Sequence, residues 1–424
     1  METPFDVVPQ SLKDVNITSL EGYEYHGFPH EHWTYLRNHA PVFHYNIGEI
    51  EPFWAITKWD DVQYVSRNPD LFSNKTGIIL LLDELSEVGA VPPTHHLLDM
   101  DPPEHAQYRA LVNKRFTTRG LRVLEGRIDE VADEVVDRVA TRLVDDLANH
   151  GHAEAVADIS NLLPLITICE LLGVPREREA DMIQWVNEAV GGNDPVYQRG
   201  RTRNETIAEA SQLLFGFFME LVEQKRVAPG DDLLSTLVQA ELNGEPLNAM
   251  DLLSYCFLLI IAGNETTRNT TTGGLLALIE HPDQMELLRN DRSLMDSAIE
   301  EILRWVSPVI HFARLVTEDV EIRGQKVPAG DKVVMFYPSA NRDEDIFERP
   351  FEFDIRRSPN DHLAFGGFGE HYCLGANLAR LQLRTIFNKM FDRLDDIELD
   401  GEVARLRSGF VGGIKAMPIR YTVK

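Results

Sequence analysis

Phe365-Gly366-Gly367-Phe368-Gly369-Glu370-His371-Tyr372-Cys373-Leu374-Gly375 is a glycine-rich loop that runs straight into a helical pattern. Behind the cysteine, apolar residues recur at Leu374, Leu378, Leu381 and Ile386, with Arg380 and Arg384 between them. This spacing predicts Cys373 in the first turn of a helix. There, unpaired N–H groups and the positive end of the helix dipole favour an anionic sulfur. The glycines let backbone approach something flat and large, or turn N–H groups towards the sulfur. A buried structural cysteine beside a glycine turn is the plainer alternative. A cysteine nucleophile or zinc ligand fits less well, because Cys169 and Cys256 are far away and no C-x-x-C pair exists.

The chain has 424 residues, 43% of them hydrophobic, which suffices for one large core. Its three cysteines at wide spacing argue for a reducing compartment, and the expected location is cytoplasmic. The start, Met1-Glu-Thr-Pro-Phe-Asp-Val-Val-Pro9, shows no signal-peptide pattern. The apolar stretch Leu252–Gly263 is shorter than the ~18–20 residues of a membrane span. A net charge of −27 disfavours nucleic acid as a general partner.

With no repeat or low-complexity linker, residues 1–424 read as one domain. Strands are predicted at Pro41–Tyr45, Phe53–Thr57, Val320–Arg323 and Lys332–Tyr337, and a helix at Trp59–Arg67. The stretch Phe72–Leu98 lacks periodicity and reads as a long functional loop. Asp101-Pro102-Pro103 reads as an N-cap followed by a helix. Helical pattern then covers Leu121–Leu147, Ile159–Leu172 and Glu179–Val190, with a break at Gly191–Pro195 and another helix up to about Lys225. From Asn248 no proline interrupts a helical pattern until Pro282. The expected fold class is therefore mainly α with small β-sheets, not a parallel doubly wound fold.

From Leu252 to Ile261 the long helix is apolar almost all round, which means burial on every side. Ala262-Gly-Asn-Glu-Thr-Thr267 follows, a costly insertion of polar groups unless they are paired. Ala262, Gly263 and Thr266 share a face, where two small residues leave room for a ligand and the Thr266 hydroxyl reaches a backbone carbonyl or that ligand. Glu265 beside a hydroxyl is a candidate proton relay, and an internally satisfied helix kink is the alternative. Glu301 and Arg304 are three apart on a predicted helix, a spacing that surface ion pairs share. His105 and Arg109, four apart, would clamp an acidic group or form an ordinary solvated face.

Taken in this order, these residues resemble the cytochrome P450 family of haem-thiolate monooxygenases. The resemblance covers essentially the whole chain and is densest over 252–419. It implies a P450 fold with a long central helix over haem b (iron protoporphyrin IX), and Cys373 as its axial iron ligand. Glu301 and Arg304 resemble the family's E-x-x-R, completed by Arg357 in Phe353-Asp-Ile-Arg-Arg357 rather than by Arg356. His105, Arg109, Arg314 and His371 match positions that bind haem propionates, and Ala262 faces the haem. Thr266 and Glu265 match the pair that delivers protons to dioxygen. Substrate-lining positions fall on Leu258, Ile261, Ala262, Val309, Ile310, Phe410 and Val411, with His311 as a polar exception. One departure is visible: the family's phenylalanine seven residues before the cysteine is Gly366 here, and Phe365 stands one residue earlier. That leaves open whether Phe365 or Phe368 covers the sulfur.

The resemblance further implies an apolar small-molecule substrate of the terpenoid, steroid or branched-lipid kind, and O2 as co-substrate. Electrons would come from a separate iron–sulfur ferredoxin with its NAD(P)H-dependent reductase. Lys114, Arg115, Arg119, Arg380 and Arg384 form the candidate docking patch, and a solvated mixed face is the alternative. The Gly191–Pro195 break lies between two helices resembling the family's mobile lid. A peroxide-driven member and a non-catalytic haem-thiolate sensor or carrier are the competing readings.

Overall fold

The computed structural model describes residues 2–47, 50–75, 77, 96–141, 143–145, 150–192 and 195–424. Most of the unpatterned Phe72–Leu98 stretch and part of the Gly191–Pro195 break lie outside these residues.

One helix, Ala249–Glu280, organises the rest. Asn248 caps it by accepting from the Asp251 N–H at 2.9 Å, and its 32 residues reach about 48 Å. Polar residues deep inside it survive because the threonines bond their own helix. Thr266, Thr270 and Thr271 donate to the carbonyls of Ala262, Thr266 and Thr267 at 2.9, 2.8 and 2.9 Å. Around this central helix pack Leu162–Leu172, Glu179–Gly191 and Arg203–Val227 on one side, and Met295–Val306 and Ala376–Arg393 on another.

The largest sheet has five strands, in the order Val42–Tyr45, Phe53–Ile56, Lys332–Phe336, His311–Val316 and Phe72–Ser73. Only the contact between Phe53–Ile56 and Lys332–Phe336 is parallel. A four-stranded sheet joins Leu394–Leu399, Pro418–Val423, His150–Glu154 and Leu143–Asp145.

Trp59–Arg67 forms as its pattern predicts. Three other boundaries differ from the sequence expectation. The helix expected over Leu121–Leu147 is Thr118–Ala140, because Leu143–Asp145 leaves to pair with His150–Glu154. The helix after the double proline begins at Glu104. Asp101 does not cap it, but accepts instead from Ser73 Oγ at 2.5 Å and Asn74 N at 2.8 Å. Before Leu162, residues Ala155–Ser160 wind as a π-helical turn. Among the described residues, Ala155–Leu172 alone is long and apolar enough to cross a membrane, and 78% of it is buried inside the protein.

The Glu301–Arg304 spacing turns out to be a buried lock. Both side chains are fully buried, and Arg304 donates twice to Glu301, at 2.8 Å each. Glu301 also accepts from Arg357 Nε at 3.1 Å, Asn360 Nδ2 at 3.1 Å and the Asp354 N–H at 3.0 Å. Arg304 spends its remaining donors on the carbonyls of Asn341 (2.9 Å) and Pro350 (2.8 Å). The third member is Arg357, while the Arg356 side chain is 61% exposed.

Arg304→Ala would remove two of the donors to a buried carboxylate and a donor to the carbonyls of Asn341, Pro350 and Glu352. It should cost about 3–5 kcal/mol and show as lost folded yield or a lowered thermal midpoint. Arg356→Ala should stay within about 0.5 kcal/mol of the parent in the same melt.

Candidate active site

Between the central helix and the 365–375 loop lies a cavity with about 1590 Å³ of empty space, its mouth included. Cys373 opens into it. The helix behind the loop starts at Ala376 with Gly375 as N-cap, so the cysteine lies two residues before the cap and not in the first turn. Burial pushes the Cys373 thiol up, against the Gly375 N–H, Arg109 and Arg380, which pull it down.

The glycines serve the loop more than the ligand. Gly366 sits at φ +100°, a conformation that phenylalanine would strain, which explains why the aromatic residue is displaced to 365. Gly369 passes so close to the helix Trp59–Arg67 that a Cβ would lie 1.8 Å from the Ser66 carbonyl oxygen. Phe365 lines the cavity, and its carbonyl accepts from the Cys373 N–H at 2.9 Å. Phe368 is 41% exposed and stacks on Tyr372 outside. Phe365 is the aromatic residue that lines the cavity into which Cys373 opens.

His105, Arg109, Arg314 and His371 all line the same cavity. The two imidazoles stack at 4.0 Å between centroids. Burial, Arg314, His105 and Arg109 press His371 down to about 2, and burial with Arg109 presses His105 to about 4. His371 Nε2 is buried without a partner. Neither arginine has a carboxylate within ion-pair distance among the described residues; Arg109 donates to the Tyr372 carbonyl at 2.7 Å and Arg314 to that of Ala313 at 2.6 Å. Converging donors with only the half-exposed Glu370 at hand, 3.8 Å from His105 Nδ1, around a cavity walled by Leu258, Ala262 and Leu374, fit a flat apolar ligand carrying carboxylates.

On the opposite wall, Thr266 and Ala262 face the cavity, and Ala262 is exposed to it in mid-helix. The room beside Gly263 is taken by protein, since a Cβ there would meet Ile168 at 2.6 Å. Glu265 is buried one residue behind. It pairs with Arg268 and accepts from Asn269 Nδ2 at 3.0 Å. The acid is thus tied to two residues of its own helix, neither of which the sequence reading singled out. The i, i+3 rule applied to Glu301 and Arg304 would have found Arg268.

Leu258 and Val309 line the cavity, whereas Ile261, Ile310, Phe410 and Val411 do not. Alternation along the extended 309–311 segment turns Ile310 into the cluster around Trp33 and Phe336. Val411 bridges the backbone of Val309, and the Phe410 ring packs on His311 and Phe312, so both back the wall. His311 is buried, donates from Nδ1 to the Gly409 carbonyl (3.0 Å), and is pushed to about 4 by burial. Phe116, Ile168 and Phe312 line the cavity without a signal in the sequence pattern.

The Cytochrome P450 family model matches residues 15–404. The chain belongs to the cytochrome P450 family. A methyl-branched lipid omega-hydroxylase of Mycobacterium bovis is 38% identical, over 91% of this chain and 90% of that protein. A steroid C26-monooxygenase of Rhodococcus jostii is 37% identical, over 93% and 82%. Among solved structures, a Mycobacterium marinum cytochrome P450 in complex with pseudoionone superposes with a TM-score of 0.87 at 34% identity, covering 97% of this chain and 99% of that one. The protein is a P450 monooxygenase, and haem b is the group whose flat body and paired propionates the cavity's donors suit.

The expected docking patch is smaller than the sequence suggests. Arg380 is held by Glu300 at 2.6 and 2.8 Å and Arg384 by Asp296 at 2.7 Å, which leaves Lys114, Arg115 and Arg119. Although burial opposes it, Arg380 and His362 draw Glu300 from 4.5 to about 2.

Three outcomes follow from this geometry. Arg314→Ala should release haem faster, read as haem transfer to apomyoglobin. Phe365→Ala should move the iron reduction potential, and Phe368→Ala should leave it in place. The stabilisation from Glu300 is full above its unfolded value and is lost as pH falls through its folded one, so the melting difference between parent and Glu300→Gln should shrink from pH 4.5 towards 2.

Proposed function

We propose that this P450 hydroxylates the terminal carbon of a methyl-branched alkyl chain, as found on branched lipids and steroid side chains. The observation that carries this is the cavity wall above Cys373. Leu258, Ala262, Ile168, Val309 and Phe312 offer only hydrocarbon, and Thr266, Thr267 and Thr270 are the central-helix hydroxyl residues in the lining. A chain end can slide along such a wall without leaving a polar group unpaired. The names of the two relatives, an omega-hydroxylase of methyl-branched lipids and a steroid C26-monooxygenase, favour the same substrate chemistry.

Haem bound through Cys373 supplies the oxidising chemistry that places one oxygen atom from O2 into a C–H bond. His105, Arg109, Arg314 and His371, which line the cavity together, would hold its propionates. Thr266 would pass protons into the cavity as its hydroxyl leaves the Ala262 carbonyl, and Glu265 would recharge it only after release from Arg268 and Asn269, which hold it in this structure. Glu301, Arg304 and Arg357 keep the thiolate loop in register with that helix. Electrons come from a separate ferredoxin, met at Lys114, Arg115 and Arg119 in the cytoplasm.

Titration with branched lipids and sterols should shift the iron from low to high spin, while straight-chain and polar analogues shift it less. With a ferredoxin and its reductase, the product should be the terminal alcohol. Exclusively subterminal products would sink the assignment. Thr266→Ala should still bind haem and substrate but divert electrons to peroxide, with product per NAD(P)H falling about tenfold or more. Tightly coupled turnover in that variant would remove Thr266 from the proton path.

A further inference from the structure

Farther along the central helix, towards its C-terminal end from the haem cavity, lies a second hollow with about 970 Å³ of empty space, its mouth included. The N-terminal segment, the central helix and the C-terminal hairpin enclose it, and Tyr23, Phe28, Trp305 and Phe351 give it an aromatic wall. Nothing in the monooxygenase reaction uses this space.

Two arginines line it, the buried Arg342 and the half-buried Arg405. No carboxylate stands within ion-pair distance of either among the described residues. Arg342 is only 2% exposed. Two of its nitrogens donate to the carbonyls of Arg304 and Trp305 at 2.9 Å each, its Nε has no partner, and its guanidinium lies 4.4 Å from the Trp305 ring. Helix-end carbonyls offset part of its charge. The nearest buried acid, Glu301, is already shared by Arg304 and Arg357. Burial, Arg304 and Arg37 all weigh against its charged form. Glu280, exposed, is the one acidic residue in the wall among the described residues.

A buried cation without a counter-ion is costly, and on a chain of net charge −27 its retention beside an aromatic hollow needs a reason. Two further buried polar atoms belong to residues of the same wall and lack partners: Asn269 Oδ1 and His30 Nδ1. We propose that this hollow is a second ligand site, for a small organic carboxylate whose anionic end meets Arg342 and whose apolar body lies against Trp305 and Phe351. Asn269 reaches both places, lining the hollow and donating to Glu265, so an occupant touches the residue that helps hold the buried acid.

Benzoate and octanoate are the probes, titrated by calorimetry into the holoenzyme with imidazole held on the iron so that the haem cavity is closed. Both should bind without moving the Soret band. Benzyl alcohol, which lacks the charge, should bind about tenfold or more weaker than benzoate. Arg405→Glu at the exposed side should weaken benzoate severalfold, and Arg342→Met should weaken it further where that variant folds. Absence of binding, a Soret shift on binding, equal affinity for benzyl alcohol, or affinity unchanged in Arg405→Glu would each overturn the proposal. None of these readouts depends on turnover, so they stand apart from the proton path and the substrate.

Discussion

The buried carboxylate of Glu301 is the constraint on which the site depends. It accepts from Arg304, Arg357, Asn360 and the Asp354 backbone, while Arg304 binds the carbonyls of Asn341 and Pro350. One anion thereby gathers the 295–306 helix and the winding segment from 341 to 360. Asn341, tied to the same knot, accepts from the Leu363 N–H at 2.6 Å, two residues before the cysteine loop proper begins. Loss of one donor would propagate directly to the loop, because the groups are buried and water cannot replace it.

A second imbalance shapes the cavity itself. His105, Arg109, Arg314 and His371 crowd together with one carboxylate at ion-pair distance among the described residues, Glu370 at 3.8 Å from His105 Nδ1; burial and the neighbouring cations press both histidines down, and the arginines reach only backbone carbonyls. Such an arrangement is strained for the chain alone and relieved by a dianionic ligand. Cys373 opens into the same cavity, and burial raises its thiol against the Gly375 N–H, Arg109 and Arg380. Fold and cofactor are therefore matched by what each lacks. Glu265 is treated differently, being buried but paired with Arg268 and Asn269 on its own helix.

Much of this was legible in the residues. The period after Cys373, the uninterrupted pattern from Asn248 to Pro282 and the spacing of Glu301 and Arg304 are local signals, and each formed the expected element. The misses share a cause. Leu143–Asp145 abandons a helical pattern for a strand partner distant in space, and Asp101 prefers Ser73 and Asn74 to the helix it precedes. Ile310 turns away from the cavity because its neighbour Val309 faces it. The basic patch shrank once Glu300 and Asp296 from another helix claimed Arg380 and Arg384.

By itself, the sequence determined the helix-rich class and the spacing of Glu301 and Arg304, because these rest on residue type and short-range spacing, while the roles of Cys373, His105, Arg109, Arg314 and His371 came from the resemblance to the family. Only the tertiary structure decided that Phe365 and not Phe368 lines the cavity into which Cys373 opens. It alone showed that Gly369 serves contact with Ser66 and that Glu265 is bound to Arg268 rather than poised at Thr266. Those outcomes depend on which side chains from remote segments arrive first at a buried group. Spacing along one segment carries no record of that competition.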